Sequence, residues 1–116
     1  MIRAGLKLSH PELADGRWSE MSFEEQMGNL GSEISRAVKS KARGDQDRAI
    51  HAANRAIELF ELSIDCNVQY PGRLKELCVG KEEFCDYVFN DNSFGTDPKM
   101  MMRYYDQFAL LARKGV

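Results

Sequence analysis

The chain has 116 residues, of which 43% are hydrophobic and 29% are charged, as is usual for a single globular domain and not for a disordered chain. Its 16 basic and 18 acidic residues leave a net charge of -2, which argues against a general nucleic-acid binder. No stretch of about 18 apolar residues occurs, so we predict no contact with membranes and expect a cytoplasmic protein.

The chain begins with a predicted irregular N-terminal arm over residues 1–21, which precedes a helical domain over residues 22–116. The arm contains glycine and proline and has no sustained periodicity. Its leucines and Trp18 are nevertheless too apolar for a free tail. We therefore expect the arm to pack along the domain or to reach a neighbouring subunit.

The first helix is predicted to begin after Ser22. Ser22 and Glu25 have the spacing of a capping box, in which each side chain accepts a hydrogen bond from the other residue's backbone N–H. Apolar side chains then recur at helical spacing, and Gly44 marks the end of the helix. Small residues beside the apolar face, including Gly28 and Gly31, would let another helix approach closely.

The second helix is predicted to begin after Asp45, which is a good N-cap residue. Its apolar face ends at a break over residues 67–72, where a Tyr-Pro-Gly sequence favours a turn. A third helix is predicted over about residues 73–89.

The fourth helix is predicted to follow Thr96 or Asp97 as its cap, with Pro98 in the first helical position. No segment alternates long enough to predict a strand. Because the connections are short, neighbouring helices should be antiparallel. The sequence therefore predicts an all-α protein, an antiparallel up-down four-helix bundle with an irregular N-terminal arm.

Charged residues in the middle of these helices are the candidate binding site. If the turns lie midway between the helices, two acids and two bases fall at one level of the bundle. This polar layer consists of Glu33, Arg55, Asp86 and Arg103, with Asn29 and Arg36 beside Glu33 on the first helix. One interpretation is a structural salt-bridge network, and the other is a pocket that binds a small ligand.

No catalytic residue, metal site or cofactor is predicted. His51 has charged neighbours one turn away on either side, but no nucleophile is placed beside it, so it is interpreted as a surface histidine. The Cys/His spacing of a zinc site is absent. Residues 90–97 fail as a calcium loop because Met101 would stand where the bidentate glutamate belongs.

Three cysteines, Cys66, Cys78 and Cys85, are predicted to be small buried side chains in a reducing compartment. Cys78 and Cys85 lie seven residues apart on one predicted helix. That spacing separates them by about 10.5 Å along the axis, which is too far for a disulfide.

Basic residues gather where the first two helices meet, at Lys39, Lys41, Arg43 and Arg48, with Arg36 one turn earlier. Such a corner could bind phosphate or RNA. The simpler interpretation is that these cations complement the helix dipole and keep the surface charged.

Most of residues 22–114 resembles two groups of small bacterial helical bundles. These are the HEPN-type domains and the four-helix proteins encoded within ribosomal RNA intervening sequences. The likeness lies in chain length, the number of helices and the alanine-rich segment at residues 49–58. Ribonucleases of the HEPN group carry an arginine and a following histidine that are separated by four to six intervening residues. Here Arg48 precedes His51 by three residues and Arg43 precedes it by eight, so ribonuclease activity is not implied.

Residues 28–33 and 73–77 also resemble segments of a family of small, uncharacterised bacterial helical proteins. That resemblance implies no function.

The primary functional prediction is a non-enzymatic helical interaction module that self-associates, with a dimer favoured, or binds a protein partner. The candidates for the contact surface are surplus apolar residues such as Leu59, Leu62, Tyr104 and Leu111. The alternative is a HEPN-like ligand-binding or RNA-processing protein that uses the polar layer. A third possibility is a nucleic-acid adaptor that binds through the basic corner.

Overall fold

A computed structural model describes residues 16–114 of the chain. Within that range the chain forms four α-helices, a short 3-10 helix and no strand, which confirms the predicted all-α bundle. The α-helices are α1 (Phe23–Ala42), α2 (Gln46–Cys66), α3 (Pro71–Phe89) and α4 (Pro98–Arg113). None of these described helices is both long and apolar enough to cross a membrane.

The helix ends follow the predicted capping residues. The Ser22 hydroxyl accepts from the backbone N–H of Glu25 at 3.1 Å, and the Glu25 carboxylate accepts from the N–H of Ser22 at 2.9 Å. Asp45 and Asp97 each accept a backbone N–H of the helix that follows, at 3.2 and 2.9 Å. The third helix begins two residues earlier than predicted, at Pro71, because proline suits the first helical position.

Helix α1 occupies the centre of the bundle, where it packs against α2 on one side and α4 on the other. The close contact with α4 occurs at the predicted glycines. A Cβ added at Gly31 would lie 2.6 Å from Cβ of Tyr105, and one added at Gly28 would lie 3.1 Å from Cα of Ala109. Helix α3 packs against α2, whereas the backbones of α3 and α4 hardly approach one another. This side of the bundle is therefore open.

The core is formed by large apolar side chains from the four helices and from the segment before α1. Leu59 belongs to this core and is only 3% exposed, so its predicted place on a contact surface was wrong. The reason is that α1 and α3 cover α2 from two sides. Leu111, by contrast, is exposed, and Leu62 and Tyr104 are half-buried against the core.

The described part of the N-terminal arm packs along the bundle, which is the first of the two arrangements that the sequence left open. It includes a 3-10 helix over Trp18–Glu20, and Trp18 is almost completely buried. The indole Nε1 donates to Ser63 Oγ at 2.8 Å, and the backbone oxygen of Trp18 accepts from Gln26 Nε2 at 2.9 Å. Asn67 Nδ2 donates in turn to Gln26 Oε1 at 3.0 Å. Residues 1–15 of the predicted arm lie outside the described residues.

All three cysteines are free thiols, but they differ in burial. Cys66 and Cys85 are half-buried, and burial raises the pKa of both thiols. Cys78 is exposed, so the prediction that it is buried was wrong. Its side chain is rotated by about 100° around α3 from that of Leu77, which belongs to the core.

Candidate functional site

The half of the predicted polar layer that lies between α1 and α2 forms as expected. Oε1 of Glu33 lies 3.1 Å from Nε of Arg55 and 3.1 Å from Nη1 of Arg36. The Glu33 side chain is only 8% exposed, whereas Arg36 and Arg55 reach the surface. One buried carboxylate therefore holds two guanidinium groups side by side.

The other predicted members do not join this cluster, so the four-helix layer was wrong as a geometric prediction. Asn29 Nδ2 donates to the backbone oxygen of Glu25 at 2.8 Å, and Arg103 is exposed on α4. Asp86 binds the loop that follows its own helix. The predicted layer required every helix to pack against the next helix along the chain. In the structure α4 packs against α1 and makes few backbone contacts with α3. A ligand-binding role for these residues stays a prediction.

Asp86 organises the connection between α3 and α4. Its carboxylate accepts from the backbone N–H of Phe94 at 3.0 Å and from the Ser93 hydroxyl at 3.0 Å. The Phe94 hydrogen bond above all, helped by Ser93, lowers the pKa of Asp86 below its ordinary value. The residue is therefore a structural anchor for the loop.

The replacement Asp86→Asn is expected to lower the melting temperature by a few degrees at neutral pH. Because the folded-state pKa is lowered, the contribution of Asp86 is present above about pH 4 and is lost as the pH falls through the folded-state pKa. Melting curves of both proteins from neutral to acidic pH should therefore converge. Replacement of the exposed Asp106 by asparagine is the control. A difference that stays constant down to acidic pH would contradict the anchoring role.

The open side of the bundle forms a groove of about 630 Å³ between α3 and α4, here called the α3/α4 groove. It is lined by Lys75, Glu76, Val79, Gly80, Glu83, Phe94, Gly95, Thr96, Asp97, Met100, Met101, Tyr104 and Tyr105. Several apolar side chains in it face solvent: Val79 is 46% exposed, Phe94 62% and Met100 65%. The groove is thus an apolar surface that nothing covers among the described residues.

Acidic side chains border this groove. The Tyr104 hydroxyl donates to the Glu76 carboxylate across the gap between α4 and α3. Burial, followed by the hydrogen bond to Glu76, raises the pKa of Tyr104, so the phenol stays neutral at physiological pH. Glu83 and Asp97 also line the groove. The arrangement suits an apolar ligand or helix with basic flanks.

A second concave surface lies where α1 and α2 meet, and we call it the basic cleft. It has a volume of about 470 Å³ and is lined by Arg36, Lys39, Ser40, Arg43, Arg48, His51, Ala52 and Arg55. Residues of the predicted basic corner and of the predicted polar layer therefore meet in one site. The signal was present in the spacing, since residues 36, 39 and 43 share one helix face and residues 48, 51 and 55 share another.

Lys41, which was predicted to belong to the basic corner, lies on another side of α1. Its ammonium group donates to the backbone oxygen of Tyr87 and lies 4.1 Å from the centre of the Tyr87 ring. This lysine therefore joins α1 to the end of α3. Its role is packing: the aliphatic part of the side chain covers apolar surface, and the ammonium group makes a cation–π contact with Tyr87.

Among the described residues, no group of three or more histidine, cysteine, aspartate or glutamate side chains is placed to hold a metal ion. Comparisons with protein-family models, with curated proteins and with solved structures found no match.

Proposed function

We propose that this protein is a non-enzymatic interaction module that forms a homodimer through the α3/α4 groove. The observation that carries the proposal is the exposure of apolar side chains at this one groove, above all Phe94 and Met100. Clustered apolar surface of this kind marks interaction sites more often than isolated exposed residues do. An apolar groove between two helices also has the shape that accepts an apolar helix ridge.

The charges around the groove favour a second copy of the chain as the occupant. The α3 wall contributes Glu76 and Glu83 against one cation, Lys75. Lys99 and Arg103 flank the lining residues of α4 on its exposed side. A two-fold axis places α4 of each copy against α3 of the other, so every such contact occurs twice. Met100 of each copy then enters the partner's groove between basic and acidic flanks.

The replacement Met100→Glu is expected to weaken the dimer by about tenfold or more, because it places a carboxylate in an apolar, acid-bordered contact. Native mass spectrometry and sedimentation velocity over a range of protein concentrations measure the dimer fraction. Val68→Glu is the matched control, since Val68 is 59% exposed but lies outside the groove. A wild-type protein that stays monomeric at high micromolar concentration would overturn the proposal.

A charge exchange tests the orientation of the two copies. Arg103→Glu and Glu83→Arg should each weaken the dimer, and the double variant should restore it, because the attractive pair is rebuilt with its signs reversed. Both positions lie outside the buried core, so melting curves should change little. If the double variant weakened the dimer by the sum of the two single effects, this arrangement would be contradicted.

We further propose that the protein acts in the cytoplasm, a proposal supported by its three unpaired cysteines. The alternative function, a HEPN-like ligand-binding or RNA-processing protein, is supported by the pairing of the buried Glu33 with Arg55, which lines the basic cleft. No catalytic residue is assigned under either proposal.

A further inference from the structure

The basic cleft carries more positive charge than the packing of the bundle needs. Among its described lining residues, Arg36, Lys39, Arg43, Arg48 and Arg55 are cations, and none is a carboxylate. The described carboxylate partners of these cations, Glu33 and Asp45, are not among the residues that line the cleft. Four of its cations are arginines, which remain charged at any pH that a folded protein meets.

Two carboxylates offset part of this charge. Glu33 contacts both Arg36 and Arg55, and the Arg48 Nε lies 3.5 Å from Asp45 Oδ2. Among the residues that the structure describes, five cations and two contacting carboxylates leave an excess of about three positive charges at the cleft. Bringing like charges together in this way is unfavourable unless an anion is bound, or unless the site is strongly solvated.

Complementing the helix dipoles does not account for the arrangement. Cations stabilise the last turn of a helix, which covers Lys39 of α1 but not the mid-helix Arg55. Arg48 lies in the first turn of α2, where the helix dipole disfavours a positive charge. Arg55 pairs with Glu33 and Arg48 with Asp45, so carboxylates and not the helix dipoles hold these two cations.

The hydrogen-bond geometry prepares the arginines for an oxyanion. Glu33 engages Nε of Arg55 and Nη1 of Arg36, so other guanidinium N–H groups of both residues remain available to a ligand. Because a buried carboxylate already orients these groups, less side-chain entropy is lost when an anion binds. Ser40 and His51 line the same cleft and can supply further hydrogen bonds.

We propose that the basic cleft is a binding site for the phosphate group of a small phosphomonoester. Planar guanidinium groups match the spacing of phosphate oxygens, and a doubly charged anion fits the excess charge better than a carboxylate does. The volume of about 470 Å³ leaves room for an attached organic group. No phenylalanine, tyrosine or tryptophan lines the described cleft, so a stacked single-stranded nucleic acid is the less suitable ligand.

Isothermal titration with inorganic phosphate and with a nucleoside monophosphate, at low and moderate salt, tests this site. We expect one ligand per chain and weaker binding at higher salt. Lys39→Gln and Arg55→Gln should each lower the affinity about tenfold or more. Arg113→Gln, which makes the same charge change on α4 outside the cleft, should leave the affinity unchanged.

Arg55→Gln could loosen the contact between α1 and α2, because Arg55 pairs with Glu33. Lys39 is exposed, so Lys39→Gln should keep the fold and still test the site. Tighter binding of the monophosphate than of inorganic phosphate would identify an ester as the ligand, and equal binding would identify the free anion. Absence of binding at about 10 mM phosphate would overturn the proposal. The proposal would also be overturned if Arg113→Gln weakened phosphate binding as much as Lys39→Gln does. The same holds if a short RNA bound more tightly than the monophosphate and Lys39→Gln abolished that binding.

The phosphate site and the proposed dimer can fail separately. The cleft is formed by α1 and α2, whereas the α3/α4 groove lies on the other two helices. Met100→Glu should therefore leave phosphate binding unchanged while it weakens the dimer.

Discussion

Replacing Trp18 with alanine is expected to lower the free energy of unfolding by about 3–5 kcal/mol, which is the range for large aromatic side chains removed from a core. Trp18 is 1% exposed and is the largest fully buried side chain outside the four main helices. Its removal also takes away the indole donor to Ser63 and loosens the segment whose backbone oxygen accepts from Gln26. Because small domains are only marginally stable, the variant should be partly unfolded at physiological temperature.

Urea unfolding followed by circular dichroism measures this loss. Trp18→Phe separates packing from hydrogen bonding, since it keeps a large ring but removes the donor to Ser63, and it should destabilise by about 1 kcal/mol from the hydrogen bond alone. Glu20→Ala, at an exposed position of the same 3-10 helix, is the control. A loss below about 1 kcal/mol for Trp18→Ala would mean that the segment before α1 is not docked in solution.

The replacement Gly31→Ala is expected to destabilise the protein by a net amount of about 2 kcal/mol. Alanine favours a helix by about 1 kcal/mol over glycine, so an uncrowded site would be stabilised. At Gly31 the added Cβ would lie 2.6 Å from Cβ of Tyr105, an atom next to the backbone that cannot swing away. Helices α1 and α4 must therefore separate, and overpacking of this kind costs about 3 kcal/mol.

A graded series of glycine replacements tests the steric cause. Gly28→Ala should be milder, because its Cβ would lie 3.1 Å from Cα of Ala109. Gly72→Ala is the matched control, since Gly72 lies in the first turn of α3 with nothing within 4 Å of the added Cβ. Equal stabilities of the Gly31 and Gly72 variants would show that α4 does not pack as closely against α1 as described.

Local features of the sequence were sufficient to predict the helices. Ser22, Asp45 and Asp97 cap the three helices they were assigned to, because an N-cap hydrogen bond involves only residues two or three positions apart. The salt bridge between Glu33 and Arg55 was also predictable, since the short turn at Gly44, with its φ of 77°, fixes the level of α2 against α1. The need for small residues at Gly31 likewise appeared in the sequence.

Contacts between helices that are distant along the chain were not predictable in the same way. Trp18 pairs with Ser63 across 45 residues, and nothing local to either residue indicates the partner. The prediction that Asp86 joins the polar layer was wrong because its carboxylate accepts from Ser93 and Phe94 in the loop after α3. The α3/α4 groove exists because α4 packs against α1 and makes few backbone contacts with α3. Periodicity shows which face of a helix is apolar, but the partner of that face depends on how all the helices share the core. The sequence by itself therefore determined where the helices begin, end and turn, and their packing determined which charged and apolar residues meet in a site.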